Sequence, residues 1–181
     1  MPAIKTTSGS LINYSIRGSG SWPILLLAPG GMRSSIGMWA NQPYDAWQQL
    51  PAASKRVRVI AMDQRNAGSS QGPLGDGWSS YYEDQIALLD ALGIGKCLLV
   101  GSCIGPSFQF RLMREQPERF PAAVMMQPIG LAQHTTEPCE PWTAFNTDAT
   151  SHWYGAWAQE MERSKRFGAS ELRSLRAALC G

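Results

Sequence analysis

Residues Leu98 to Gly105 read Leu-Leu-Val-Gly-Ser-Cys-Ile-Gly, an apolar run that passes through a glycine-flanked turn. Ile104, Phe108 and Leu112 then recur at helical spacing until Pro117 ends the pattern. Small residues at Gly101 and Gly105 let a strand and a helix approach each other through a sharp bend. Cys103, between them, is then held in a strained backbone conformation at the helix start, with its side chain raised above the sheet. A chain built around this segment needs an architecture in which a strand feeds directly into a helix.

The rest of the sequence fits that demand. Ile24 to Ala28 is continuously apolar and ends at Pro29-Gly30-Gly31, while 57–62 stops before Asp63. The runs at 97–101 and 122–126 have the same short, fully apolar character, expected of central strands covered on both faces. Leu11 to Ile16 reads as a further short strand ending in a turn at Gly18. Between the later strands, Ser80-Tyr81-Tyr82-Glu83 has capping-box spacing, with Ile86, Leu89 and Leu92 marking one face before Gly93. Strand, helix, strand, helix, strand over 80–127 is a pair of crossover units. A three-layer α/β sandwich with a mostly parallel sheet follows. Pro43 interrupts any long helix in 34–50. Past Gly130 the pattern changes: Trp153, Trp157 and Met161 share a helical stripe, and Ser170 begins a last helix with Leu172, Leu175 and Leu179 on its apolar side.

Composition removes several classes. In 181 residues, 16 Lys+Arg against 14 Asp+Glu leave a net charge of +2 with the signs interspersed, which gives no electrostatic warrant for nucleic acid. The apolar stretches are too short to span a bilayer, and no signal-peptide pattern opens the chain, so a cytoplasmic protein is expected. The cysteines form no C-x-x-C pair, and His134 and His152 are isolated, so no metal site is expected. There is no phosphate loop and no dinucleotide fingerprint, so no cofactor is implied.

With these motifs in order, the chain resembles the α/β-hydrolase superfamily. The Gly101-Ser102-Cys103-Ile104-Gly105 segment matches the family's nucleophile elbow, with Cys at the position usually held by Ser. Pro29-Gly30-Gly31 stands where the family's oxyanion loop usually reads His-Gly. Asp63-Gln64-Arg65-Asn66-Ala67-Gly68-Ser69-Ser70 is similar to its Asp-x-Arg-Gly-x-Gly-x-Ser turn, with Asn66 in place of Gly. The resemblance implies hydrolysis of a carboxylic ester, lactone or related small acyl substrate with Cys103 as nucleophile. Gly31 and Ile104, with Met32 as the alternative to Gly31, would donate backbone N–H groups to an oxyanion. Gly101, Gly105, Asp63 and Arg65 would be structural residues of the two turns, and a helix N-terminus would favour the thiolate. The bland reading of Cys103 is an inert small residue in a tight turn, and the matching alternative function is a non-catalytic binding or interaction protein, or an inactive truncated fragment.

The family places an acid and a His after later strands, and no segment here matches those strands. The resemblance therefore implies a core over 1–130, a helical cap-like segment over 131–181, and missing C-terminal strands. Neither the acid nor the base of a triad can be identified. An uncovered sheet edge at Ala122 to Met126 would also invite self-association.

Overall fold

The computed structural model describes residues 1–27, 29–76, 78–128 and 157–180. Its strands are β1 (Ala3–Lys5), β2 (Leu11–Arg17), β3 (Trp22–Leu27), β4 (Val57–Met62), β5 (Leu98–Ser102) and β6 (Ala123–Met126). They form one six-stranded sheet in the order β1-β2-β4-β3-β5-β6. Strands β4, β3, β5 and β6 run parallel, as their apolar runs required. Strand β2 joins β4 antiparallel, and β1 pairs antiparallel with β2, so the sheet is mixed at that side. The three-residue β1 has no apolar run and was not expected from the sequence.

The helices are α1 (Asp45–Ala53), α2 (Trp78–Ala91), α3 (Gly105–Glu115), α4 (described over 157–163) and α5 (Ala169–Cys180). Pro43 does break the 34–50 segment, which forms a short 3-10 turn at Ile36–Ala40 and then α1.

Side-chain alternation along the strands divides the core into two layers. Leu25, Leu27, Ile60 and Leu99 face α2 and α3 through Leu88, Leu89, Phe108 and Leu112. Ile24, Leu26, Val59, Ala61 and Val100 face the other way, onto Trp39, Tyr44, Trp47 and Leu50. The α4 residues Trp157 and Met161 and the α5 residues Leu172 and Leu175 join the first layer. The cap-like assignment for 131–181 falls largely on 129–156, outside the described residues.

One local expectation is corrected. Ser80 does not cap α2, which already includes Trp78. Instead the Ser80 hydroxyl donates to the Asp76 carboxylate at 2.7 Å and accepts from the Asp76 amide at 3.0 Å, closing the loop before the helix. The inward face of α2 is also rotated: it carries Tyr81, Asp84, Gln85, Leu88 and Leu89, while Ile86 and Leu92 are only half-buried. Apolar periodicity missed this because two of the inward residues are polar.

Candidate active site

The site is built where β5 turns into α3. Cys103 has φ 57°, in the left-handed region that costs a non-glycine residue free energy. Surrounding contacts hold it there. The Cys103 amide donates to the Met126 carbonyl of β6 at 3.0 Å, and α3 starts immediately behind it with Pro106 in its first turn. Both flanking glycines are obligatory. A Cβ on Gly101 would press on the Gly105 backbone and on Gln109, and one on Gly105 would run into the Leu27 carbonyl of β3. The close packing of β5, α3 and β3 therefore dictates the Gly-x-Cys-x-Gly spacing. Ser102, the other hydroxyl-class side chain of the turn, is fully buried.

Cys103 is a half-buried free thiol. Two backbone amides, those of Ile104 and Gly30, reach its sulfur and favour the thiolate, but burial outweighs them and pushes the thiol above its ordinary value. The expected help from the helix start is present, yet its net direction is overcome by desolvation. The loop after β3 supplies the second amide. Gly30 has φ 105° and Gly31 φ 54°, and the loop closes with the Arg33 amide donating to the Gly30 carbonyl at 2.8 Å. The loop amide that meets the sulfur belongs to Gly30. Gly31 and Met32 form the start of the following 3-10 turn, where Met32 is buried and accepts a hydrogen bond from the Tyr81 hydroxyl at 2.9 Å. A Cβ on Gly30 would collide with the Met38 side chain, so the loop is packed from behind as well.

The turn after β4 lies beside this loop. Asp63 accepts from the Ile36 amide through Oδ1 and from the Ser69 amide through Oδ2, both at 2.8 Å. It thereby ties the oxyanion-side segment to its own turn. Asn66 has φ 60° and holds the turn through Oδ1, which accepts from the Gly72 amide at 3.0 Å. Arg65 is buried and makes a two-pronged pair with Asp84 of α2, Nε and Nη2 each at 2.8 Å from a carboxylate oxygen. Nη2 also reaches Ser8 Oγ at 3.0 Å and the Ser80 carbonyl at 3.3 Å, and Nη1 reaches the Pro73 carbonyl at 3.4 Å. Asp84 raises the Arg65 guanidinium above its ordinary value against the cost of burial. Both Asp63 and Arg65 are thus engaged with backbone and side chains of the scaffold.

Helix α4 sits on the same turn. The Trp157 indole donates to the Asn66 carbonyl at 3.0 Å, and Glu160 pairs with Arg33 of the loop after β3 at 3.4 Å. Sequence reasoning missed Asp84 and this docking role of Trp157. It also missed Gln109, whose amide donates to the Val124 carbonyl at 3.1 Å and fastens α3 to β6. Periodicity carries no signal for a polar residue that is buried because it has a partner. His134, His152, Cys139, Glu137, Glu140 and Asp148 lie outside the described residues, as does the Trp153 end of the aromatic stripe.

A family-level comparison matches residues 23–171 to the alpha/beta hydrolase fold family. The chain is an α/β-hydrolase. A candidate carbamate hydrolase, RutD of Pantoea ananatis, is 31% identical over 111 residues, 60% of this chain and 38% of its own length. The 2-hydroxymuconate semialdehyde hydrolase of Pseudomonas sp. strain CF600 is 28% identical over 142 residues, 77% of this chain and 47% of its own. This α/β-hydrolase thus spans less than half the length of the curated relatives it matches. Among solved structures, Est816, described as an N-acyl homoserine lactone degrading enzyme, superposes with TM-score 0.60 at 27% identity, covering 98% of this chain and 64% of that one. A carboxylesterase structure from the thaumarchaeon Nitrososphaera gargenis shares the fold at TM-score 0.64 and 22% identity, covering 88% and 57%. Among the described residues no helix is long and apolar enough to cross a membrane.

Proposed function

We propose that this α/β-hydrolase scaffold hydrolyses a carboxylic ester, lactone or related small acyl substrate through Cys103. The observation that carries the reading is the convergence of the Gly30 and Ile104 amides on a thiol held at φ 57° above the sheet. Attack of the sulfur on the acyl carbon would form a C–S bond and place negative charge on the carbonyl oxygen. Amides at the start of α3 and in the Gly30-Gly31-Met32 loop are the groups that would receive that charge. Collapse breaks the acyl C–O bond, the alkoxide leaves as the alcohol with the proton that the thiol gave up, and water then cleaves the thioester to the carboxylic acid and the free thiol. Ile104 is one donor, and Gly31, with Met32 as its alternative, is the other.

A second reading, a non-catalytic binding protein on the same scaffold, is favoured by one specific feature. Burial raises the Cys103 thiol, and no imidazole is present among the described residues to take its proton. The two readings separate in one experiment. The protein is incubated with p-nitrophenyl acetate, and intact-mass spectrometry is followed by peptide mapping, on wild type and Cys103→Ala. The hydrolase reading expects an acetyl adduct on Cys103 that the variant lacks. Release of p-nitrophenol at equal rates from both proteins, with no adduct, would overturn it.

A further inference from the structure

We propose that the end of the sheet at which the parallel strands begin, around Trp22, docks onto a membrane surface carrying anionic phospholipids. The near-neutral total charge is unevenly spread: residues 1–62 carry six Lys and Arg against one carboxylate, Asp45. The fold gathers three of those cations at one place. Strands β2 and β3 flank β4, about 10 Å apart. Trp22 of β3 stands in register with Val57 of β4, and Arg17 of β2 with Val59, so both side chains lie on the α1 side of the sheet. Lys55 and Arg56 form the turn that leads into β4 between them.

Backbone contacts fix this arrangement. The Trp22 amide donates to the Arg56 carbonyl at 3.0 Å and the Gly20 amide to the Val57 carbonyl at 3.2 Å. A Cβ on Gly20 would run into the backbone of Arg56 and Val57, so the β2–β3 turn lies directly on the start of β4. Trp22 is 51% exposed, and Arg17, Lys55 and Arg56 are exposed around it. Among the described residues none of these three cations meets a carboxylate. Asp45 stands at the far end of α1, about 12 Å of helix rise from Ala53. Lys96, the next cation along this end of the sheet, borders Asp90, Glu115 and Glu118, and there the positive patch stops.

Charge and apolar exposure together select the partner. The cations match a negatively charged surface, and the exposed indole matches an apolar layer just beneath it; a bilayer interface offers both. Beside the indole opens a cleft of about 340 Å³ with Trp22, Pro23, Leu98 and Pro121 in its walls, which gives hydrocarbon further apolar contact. A nucleic acid backbone would satisfy the charges but leave this cleft without a partner. Cys103 lies beyond the opposite end of β5, so docking here does not cover the elbow.

Vesicle co-sedimentation of the 181-residue chain tests this. Binding is expected to vesicles of equimolar phosphatidylcholine and phosphatidylserine, and not to phosphatidylcholine alone. It should vanish at about 1 M salt, where the Debye length falls to about 3 Å. Lys55→Glu with Arg56→Glu changes only a turn outside the strands, and should weaken binding at least about thirtyfold, about fivefold for each cation removed. Trp22→Ala should weaken binding while leaving its salt dependence unchanged. Each variant should keep the wild-type circular dichroism. Should Trp22→Ala misfold, a blue shift of tryptophan emission on the anionic vesicles, present in wild type and missing in Trp22→Phe, reads the same contact. No binding to either vesicle, equal binding to both, or binding untouched by the charge reversal would overturn the proposal. Salt-sensitive binding to a single-stranded oligonucleotide without vesicle binding would overturn it too, and would make nucleic acid the partner.

Discussion

At Cys103 two effects of one position oppose each other. The turn that lifts the sulfur to the start of α3 gives it two amides, yet it also withdraws the thiol from water, and the withdrawal dominates. A thiol whose ionisation is raised carries less thiolate at neutral pH, so its alkylation should continue to accelerate as pH climbs past the ordinary thiol range. Cys97, buried in front of β5, is pushed up to about 12 by desolvation. Iodoacetamide labelling mapped by mass spectrometry should therefore modify Cys103 well before Cys97 at every pH below that value. Preferential labelling of Cys97, or a Cys103 rate that levels off below the ordinary thiol range, would contradict this. Gly105 offers a second test. Its missing Cβ is what lets α3 touch β3, and the obstacle is the Leu27 carbonyl rather than a flexible side chain. Gly105→Ala should cost about 3 kcal/mol or more, read by urea denaturation, because an overpacked backbone contact has little room to relax.

Among the elements, the turn after β4 is the joint of the site. It is bound to the Ile36–Ala40 turn through Asp63, to α2 through Arg65 and to α4 through the Asn66 carbonyl. The Arg65–Asp84 pair is nearly inaccessible, with side chains 2% and 1% exposed. Removing one partner leaves a buried charge without compensation. Arg65→Ala or Asp84→Ala should each lose roughly 3–5 kcal/mol, whereas the double change Arg65→Met with Asp84→Leu should lose much less than the sum. Additive losses would show that the pair does not act as a unit. The motif Asp-x-Arg was legible as a turn signal, but its partner Asp84 was not. A single acidic residue within a helix of mixed polarity has no pattern that marks it as inward-facing.

For the whole molecule, the acyl cycle sets the expectation. On the proposed acyl cycle, a thiol with no imidazole near it among the described residues acylates slowly, and its thioester lacks an activated water. The isolated chain should therefore release at most one equivalent of p-nitrophenol in a slow burst and then stall, with Cys103→Ala giving no burst. Sustained turnover abolished in that variant would mean that a base is supplied within this chain, with His134 and His152 as the histidines to replace next.

The parallel strands, the elbow with Cys103 at its apex and the glycine loop after β3 could all be read from the chain alone. Each rests on local chemistry: contiguous apolar residues demand two-sided burial, and glycines mark where a Cβ cannot fit. Other features were decided only by packing in three dimensions. Which loop amide meets the sulfur depends on how the loop is packed, with Met38 behind Gly30 and the Tyr81 hydroxyl on Met32. The ionisation of Cys103 depends on how much water the assembled layers exclude. The pairing of Arg65 with Asp84 joins residues nineteen positions apart, and that of Trp157 with Asn66 joins residues ninety-one apart. Local sequence records a residue's own conformational and solvation preferences, whereas desolvation and partner choice are properties of the surroundings that folding creates.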